Sequence, residues 1–119
     1  ANPISTRAAL EHQVRVAGGR RRVAVLGGMA ELGPDAARWH REVGEEVARL
    51  GVAELVVVGE LARGYLDGAD GVSAHLADSA AAAADVLRAI LQPGDVVLVK
   101  GSRSIGLERL AENIAQVNA

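Results

Sequence analysis

Three short aliphatic runs, VAVL at 23–26, LVVV at 55–58 and VVLV at 96–99, are separated by stretches with helical periodicity. Runs of this length and branching read as strands buried on both faces, which occur where helices cover both sides of a parallel sheet. Each strand must then reach its parallel neighbour through a right-handed helical crossover, and the result is three layers. The expectation is an α/β fold: a Rossmann-like three-layer α/β/α sandwich with a mostly parallel sheet, a single domain over residues 1–119. Composition agrees, since half the residues are hydrophobic yet Trp39 and Tyr65 are the only aromatics. A chain of this length buries roughly two-thirds of its unfolded surface and needs no covalent staple.

Local signals place the elements. Asn2-Pro3 ahead of ISTRAAL reads as a helix start, with Asn2 or Ser5 as the cap and Pro3 near the first helical position, running to residue 16 and stopping at Gly18-Gly19. Arg20-Arg21-Arg22 enters the first strand. Three consecutive arginines invite a nucleotide reading, but basic residues at a strand entrance lie at the end opposite the expected site and read as solvated. After the loop GGMAELGP, Ala36, Trp39, Val43, Val47 and Leu50 recur at helical spacing, and Gly51 is the expected stop. The second strand is followed by a short helix to residue 65, a turn-rich stretch at 67–71 and a weak third strand at 72–75. Asp78 is the expected cap of an alanine-rich helix over 79–91, because alanine is the best helix former. Gln92-Pro93-Gly94-Asp95 has the order of a type II turn. A last helix is expected over 105–116.

The charge balance, 13 basic against 15 acidic residues, supplies no field for nucleic acid, and two aromatics supply no stacking platform. Absence of cysteine removes disulfides, thiolate nucleophiles and cysteine-based metal sites together. No apolar run approaches the roughly 20 residues of a membrane span. The expectation is a soluble intracellular domain with no nucleic-acid or membrane partner. The chain also opens at Ala1 directly before a helix start, which reads as a domain excised from a longer protein.

No complete catalytic kit is present. Gly101 and Gly106 have P-loop spacing, but Leu107 stands where the lysine belongs; Gly28 and Gly33 have it too and are followed by Pro34. The dinucleotide fingerprint, the nucleophile elbow and the zinc-protease pair are all missing, and no two carboxylates are placed for acid-base work. Two loops at strand carboxyl ends remain, GGMAELG and KGSRSIG. Their glycines let successive N–H groups converge on an anion, and Lys100 and Arg103 add charge, Arg103 with a bidentate grip. Ordinary tight turns with exposed basic residues are the alternative. His40 is either a surface or satisfied structural residue or part of the same site, and Glu31 is the only carboxylate in its loop.

Taken together, the opening ANP with Ser5 and RAAL, then VAVLGGMAELG with His40 beyond it, then PGDVVLVKGSR, resemble the C-terminal domain of the Mur ligases. The similarity covers essentially the whole chain in order, and is greatest to the branch that joins D-alanyl-D-alanine to UDP-N-acetylmuramoyl-tripeptide. It implies a three-domain, ATP-dependent ligase of peptidoglycan precursor synthesis. In that family the N-terminal domain holds the UDP-sugar, and the central domain carries the P-loop and the Mg²⁺ ligands. The tripeptide carboxylate is phosphorylated, and the dipeptide amine attacks the acyl phosphate. The third domain closes over the nucleotide and helps position the dipeptide, excluding water from a hydrolysable intermediate.

Residue by residue, the resemblance implies nucleotide contact at Asn2 and substrate contact at Met29, Glu31, Leu32, Gly33, His40, Lys100, Gly101, Ser102 and Arg103. Lys100 and Arg103 would meet carboxylate or phosphate charge, and the backbone of residues 31–33 the incoming dipeptide. No catalytic residue and no metal ligand is expected within this chain, so alone it would be inactive. Gly28 stands where an acidic residue is usual in the family, and Ser104-Ile105 replaces a small-then-Met pair. A different class of reading is a stand-alone Rossmann-like module that binds a small anion or regulates. A third is a domain retained only as a packing scaffold.

Overall fold

The computed structural model describes residues 2–101. Ser102, Arg103, the Ser104-Ile105 pair and the helix expected over 105–116 lie outside the described residues.

The first helix, α1, spans Pro3–Ala17. Asn2 caps it by accepting from the Ser5 N–H at 2.8 Å while the Ser5 hydroxyl accepts from the Asn2 N–H, a reciprocal box that satisfies two otherwise orphaned donors. The sequence left Asn2 and Ser5 as alternatives, and the structure uses both. Strand β1 spans Arg22–Gly27, helix α2 Ala36–Arg49, and strand β2 Glu54–Val58. A single 3-10 turn, Gly33–Asp35, leads into α2, and another, Glu60–Arg63, leads into a short helix α3 at Gly64–Gly68. Strand β3 spans Ser73–Ala77, helix α4 Ala80–Ile90 and strand β4 Val96–Lys100.

Three details differ from the sequence reading. Ser79, not Asp78, caps α4, because its hydroxyl accepts from the Ala82 N–H at 3.1 Å. The third strand starts one residue later and runs to Ala77, paired over its length with β2. Arg21 is not simply solvated: its guanidinium reaches Asp95 at 2.8 Å and Glu54 at 3.0 Å, and Glu54 in turn meets His75 at 3.0 Å. This chain of contacts ties β1, β2, β3 and the turn before β4 together at the entrance of the sheet.

All three strand pairs are parallel and the order is β3-β2-β1-β4. Two faces are packed. On one, Leu10, Ala24, Leu26, Met29, Val43, Val47, Leu55, Val57 and Tyr65 join α1, α2 and α3 to the sheet. On the other, Val23, Val25, Val56, Val58, Ala83 and Leu87 seat α4. This division follows from handedness. The crossovers from β1 to β2 to β3 proceed in one direction and put their helices on one face; the return from β3 to β4 reverses direction and puts α4 on the other. The aliphatic three-layer α/β sandwich expected from the sequence is therefore the observed architecture.

Candidate functional site

The reversal of strand order falls between β1 and β4, so the crevice where an open α/β sheet binds ligands lies at the carboxyl ends of these two strands. Both loops singled out in the sequence leave the sheet there. Lys100 is the last residue of β4 and pairs in register with Leu26, one residue before Gly27. Gly101 follows, half-buried.

A third element reaches the same end. Near its start, α1 places the Thr6 hydroxyl 3.8 Å from the Met29 sulfur; two turns later the Gln13 amide donates to the carbonyls of Val23 and Val96 at the opposite end of the strands. Hence α1 runs against the strands, and its N-terminus with Asn2 points toward the carboxyl ends of β1 and β4. The oxygen of the exposed Asn2 side chain is committed to the cap, which leaves its amide nitrogen as the group free of that bond.

The loop after β1 is held from beneath. Gly27, Gly28 and Met29 are buried, whereas Ala30 and Glu31 are exposed. The Tyr65 hydroxyl donates to the Gly27 carbonyl at 2.9 Å, and burial pushes its phenol pKa up. His40 Nε2 accepts from the Met29 N–H at 2.9 Å, while Nδ1 lies 2.7 Å from the Ala36 carbonyl, which can only accept. The two bonds together define a neutral imidazole with its proton on Nδ1. Glu31 has φ 62° and is the sole non-glycine residue with positive φ among the described residues; Gly33 follows at φ 67°. A side chain in the left-handed region costs roughly 1–2 kcal/mol relative to glycine, so this apex is strained.

The expected site residues thus fall into three groups. Glu31, Gly33, Lys100, Gly101 and Asn2 lie at one end of the sheet, with Glu31 and Gly33 exposed and Leu32 half-buried between them. Met29 and His40 lie beneath the surface at 1% exposure each, their polar contacts made within the chain. Ser102 and Arg103 are outside the described residues.

Tyr65 and Leu61 were not anticipated. Leu61, exposed on the turn after β2, sits over Gly28 so closely that a Cβ on Gly28 would stand 2.7 Å from both its Cβ and Cγ. No sequence motif marks Leu61 or Tyr65, because each acts through a contact with a residue more than thirty positions away. A signal for His40 did exist: it lies four residues after Ala36 and three before Val43, on the apolar stripe of α2.

The fold is a doubly wound parallel α/β domain with glycine-bearing loops, a lysine and a helix N-terminus at the carboxyl ends of β1 and β4, the position at which open α/β sheets bind ligands. The chain belongs to the Mur ligase family: the family model described as "Mur ligase, glutamate ligase domain" matches residues 1–103. It is 41% identical over 131 residues to the UDP-N-acetylmuramoyl-tripeptide--D-alanyl-D-alanine ligase of Mycobacterium leprae, covering 94% of this chain and 25% of that protein. It is similar to a crystal structure of MurF from Acinetobacter baumannii, with TM-score 0.80 and 30% identity over 98% of this chain and 26% of that one. It also resembles the MurF ligase of Thermotoga maritima in complex with ADP, with TM-score 0.76 and 27% identity, covering 94% of this chain and 25% of that one. The chain therefore spans about a quarter of the length of the relatives it matches.

Proposed function

We propose that this chain is the C-terminal domain of a longer, three-domain ATP-dependent ligase that joins D-alanyl-D-alanine to UDP-N-acetylmuramoyl-tripeptide in peptidoglycan precursor synthesis. The observation that carries the reading is the convergence of Lys100, the loop 28–33 and the N-terminus of α1 on the β1/β4 switch point of a family member.

On this reading the carboxyl ends of β1 and β4 form one wall of a cleft, and the central domain of the same protein forms the other. Lys100 supplies a positive charge to a substrate carboxylate or phosphate as the domain closes. Arg103 would add a bidentate partner. The backbone of Glu31, Leu32 and Gly33 faces the incoming dipeptide and limits the angles at which its amine can approach. Asn2 meets the adenine nucleotide through its amide nitrogen. Closure excludes water from an activated carboxyl group that would otherwise hydrolyse.

Among the described residues no group of three or more His, Asp or Glu side chains could hold a metal, so no residue here is assigned to Mg²⁺. The ion and the phosphates of ATP belong in this account to the central domain. Among the described residues no helix is long and apolar enough to cross a membrane. UDP-linked and ATP-linked chemistry would place the enzyme in the bacterial cytoplasm.

The open reading frame upstream of Ala1 tests the reading. A preceding region with a G-x-x-G-K-[ST] loop is the expected result, together with a 119-residue chain that folds but neither hydrolyses ATP nor forms peptide bonds. A start codon adjacent to Ala1 would favour a stand-alone anion-binding module instead, and ligase turnover by the chain alone would overturn the account.

A further inference from the structure

The loop that the ligase reading places against the dipeptide is pinned at two points, both by buried rings. Tyr65 from α3 holds the Gly27 carbonyl at 2.9 Å and His40 from α2 holds the Met29 N–H at 2.9 Å, one on either side of Gly28. The rings meet edge to face, with centroids 4.9 Å apart and planes at 63°. Their closeness depends on glycine at the α2/α3 contact. A Cβ on Gly64 would stand 2.8 Å from the Cβ of His40, and Cβ atoms on Gly44 and Gly68 would collide with the Tyr65 and Arg41 carbonyls respectively.

His40 itself is only 1% exposed, and both its ring nitrogens are engaged within the chain. A ring so placed has no nitrogen left for a substrate. It is instead, among the described residues, the one partner of the buried Met29 N–H, two residues before the strained apex at Glu31. A residue in the left-handed region keeps that conformation only where its surroundings over-determine it. The bonds at Gly27 and Met29 anchor the chain immediately before that residue.

We propose that His40 is a positioning residue of this ligase: it acts through the Met29 N–H, with Tyr65 as its partner at Gly27, to hold the strained Glu31 turn at the switch point where the dipeptide is received. The consequence for catalysis rests on the ligase reading; the hydrogen-bond arrangement does not.

Two measurements test it. In the full-length enzyme, His40→Leu keeps an apolar side chain but removes the acceptor, and His40→Gln offers a carbonyl oxygen near the position of Nε2. Loss of one acceptor from a buried N–H predicts a rise in KM for D-alanyl-D-alanine of about tenfold for His40→Leu, with KM for ATP changed by less than about twofold. His40→Gln should recover most of that loss. Equal impairment of the two variants would show that the imidazole itself is required, and wild-type kinetics for His40→Leu would show that the bond is dispensable; either result overturns the proposal.

Should His40→Leu fail to fold, nitrogen NMR on the unsubstituted full-length protein with selectively labelled histidine and methionine decides the arrangement without any variant. The expected signature is a proton on Nδ1 and a coupling across the hydrogen bond between the Met29 nitrogen and Nε2. A proton on Nε2 in the neutral ring would overturn the proposal. If the full-length wild-type protein shows no ligase activity while the NMR signature is present, the ligase reading fails and the loop-holding bond stands.

Discussion

Lys100 is the register partner of Leu26 across the parallel β1–β4 pair, so the lysine emerges from the sheet beside the start of the loop that follows β1. The pairing brings together two segments more than seventy residues apart in the chain and sets Lys100 beside the loop that follows β1.

Lys100→Ala should reduce kcat/KM of the full-length ligase by about 10- to 100-fold, the range for removing one charged contact to a substrate or transition state. Lys100 is the last residue of its strand and is half-buried, so the melting temperature should move by only a few degrees. Steady-state kinetics and a thermal melt on the same preparation check both parts.

Gly28 and Leu61 should prove energetically coupled. Gly28→Ala introduces a Cβ 2.7 Å from Leu61 Cβ and Cγ; rotation about χ1 can move Cγ but not Cβ, so the variant should destabilise by about 1–3 kcal/mol. Adding Leu61→Ala shortens the obstructing side chain and should return part of that loss. Denaturant melts of the two single variants and the double variant give the coupling energy directly.

Glu31→Gly should stabilise the fold while lowering activity. Glycine removes the left-handed penalty of roughly 1–2 kcal/mol but adds roughly 0.5–1 kcal/mol of unfolded-state entropy, for a net gain of up to about 1.5 kcal/mol. The opposite signs in stability and kcat/KM, measured by urea titration and turnover, would mark strain retained for function.

Acid should weaken the fold through Glu54. Burial raises its pKa, but hydrogen bonds from Ser73 and His75, with the charges of His75 and Arg21, outweigh burial and leave it below its ordinary value of 4.5. A carboxylate with a depressed folded pKa contributes stability that is fully present above its unfolded pKa and lost as pH falls through the folded value. Stability should therefore decline as pH drops below 4.5, and Glu54→Gln should flatten that decline. Urea melts across the acid range measure it.

Much of the fold was legible because its signals are local. Asn2-Pro3 with Ser5 announces a cap, and the runs at 23–26, 55–58 and 96–99 announce buried strands wherever they occur. What the sequence hid depends on register or on which face a side chain occupies. Arg21 looked like one of three solvated arginines until parallel pairing put Glu54 and Asp95 on either side of it. His40 read as a surface or satisfied structural residue or as a candidate ligand by its place in a motif; its spacing from Ala36 and Val43 carried the unused signal for the burial that the structure shows. The Glu31 strain could not be read at all, since glutamate carries no turn preference that marks a positive φ. Resemblance supplied a set of candidate positions, and the structure separated the exposed ones, such as Glu31 and Gly33, from the buried Met29 and His40.

The most direct test of the central claim is phosphate release by the full-length protein given ATP and UDP-N-acetylmuramoyl-tripeptide, with D-alanyl-D-alanine present or withheld. Sustained release that requires the dipeptide, with the muramoyl peptide gaining its mass, is the predicted result. Sustained turnover that ignores the dipeptide and depends instead on a single amino acid such as glutamate would contradict it.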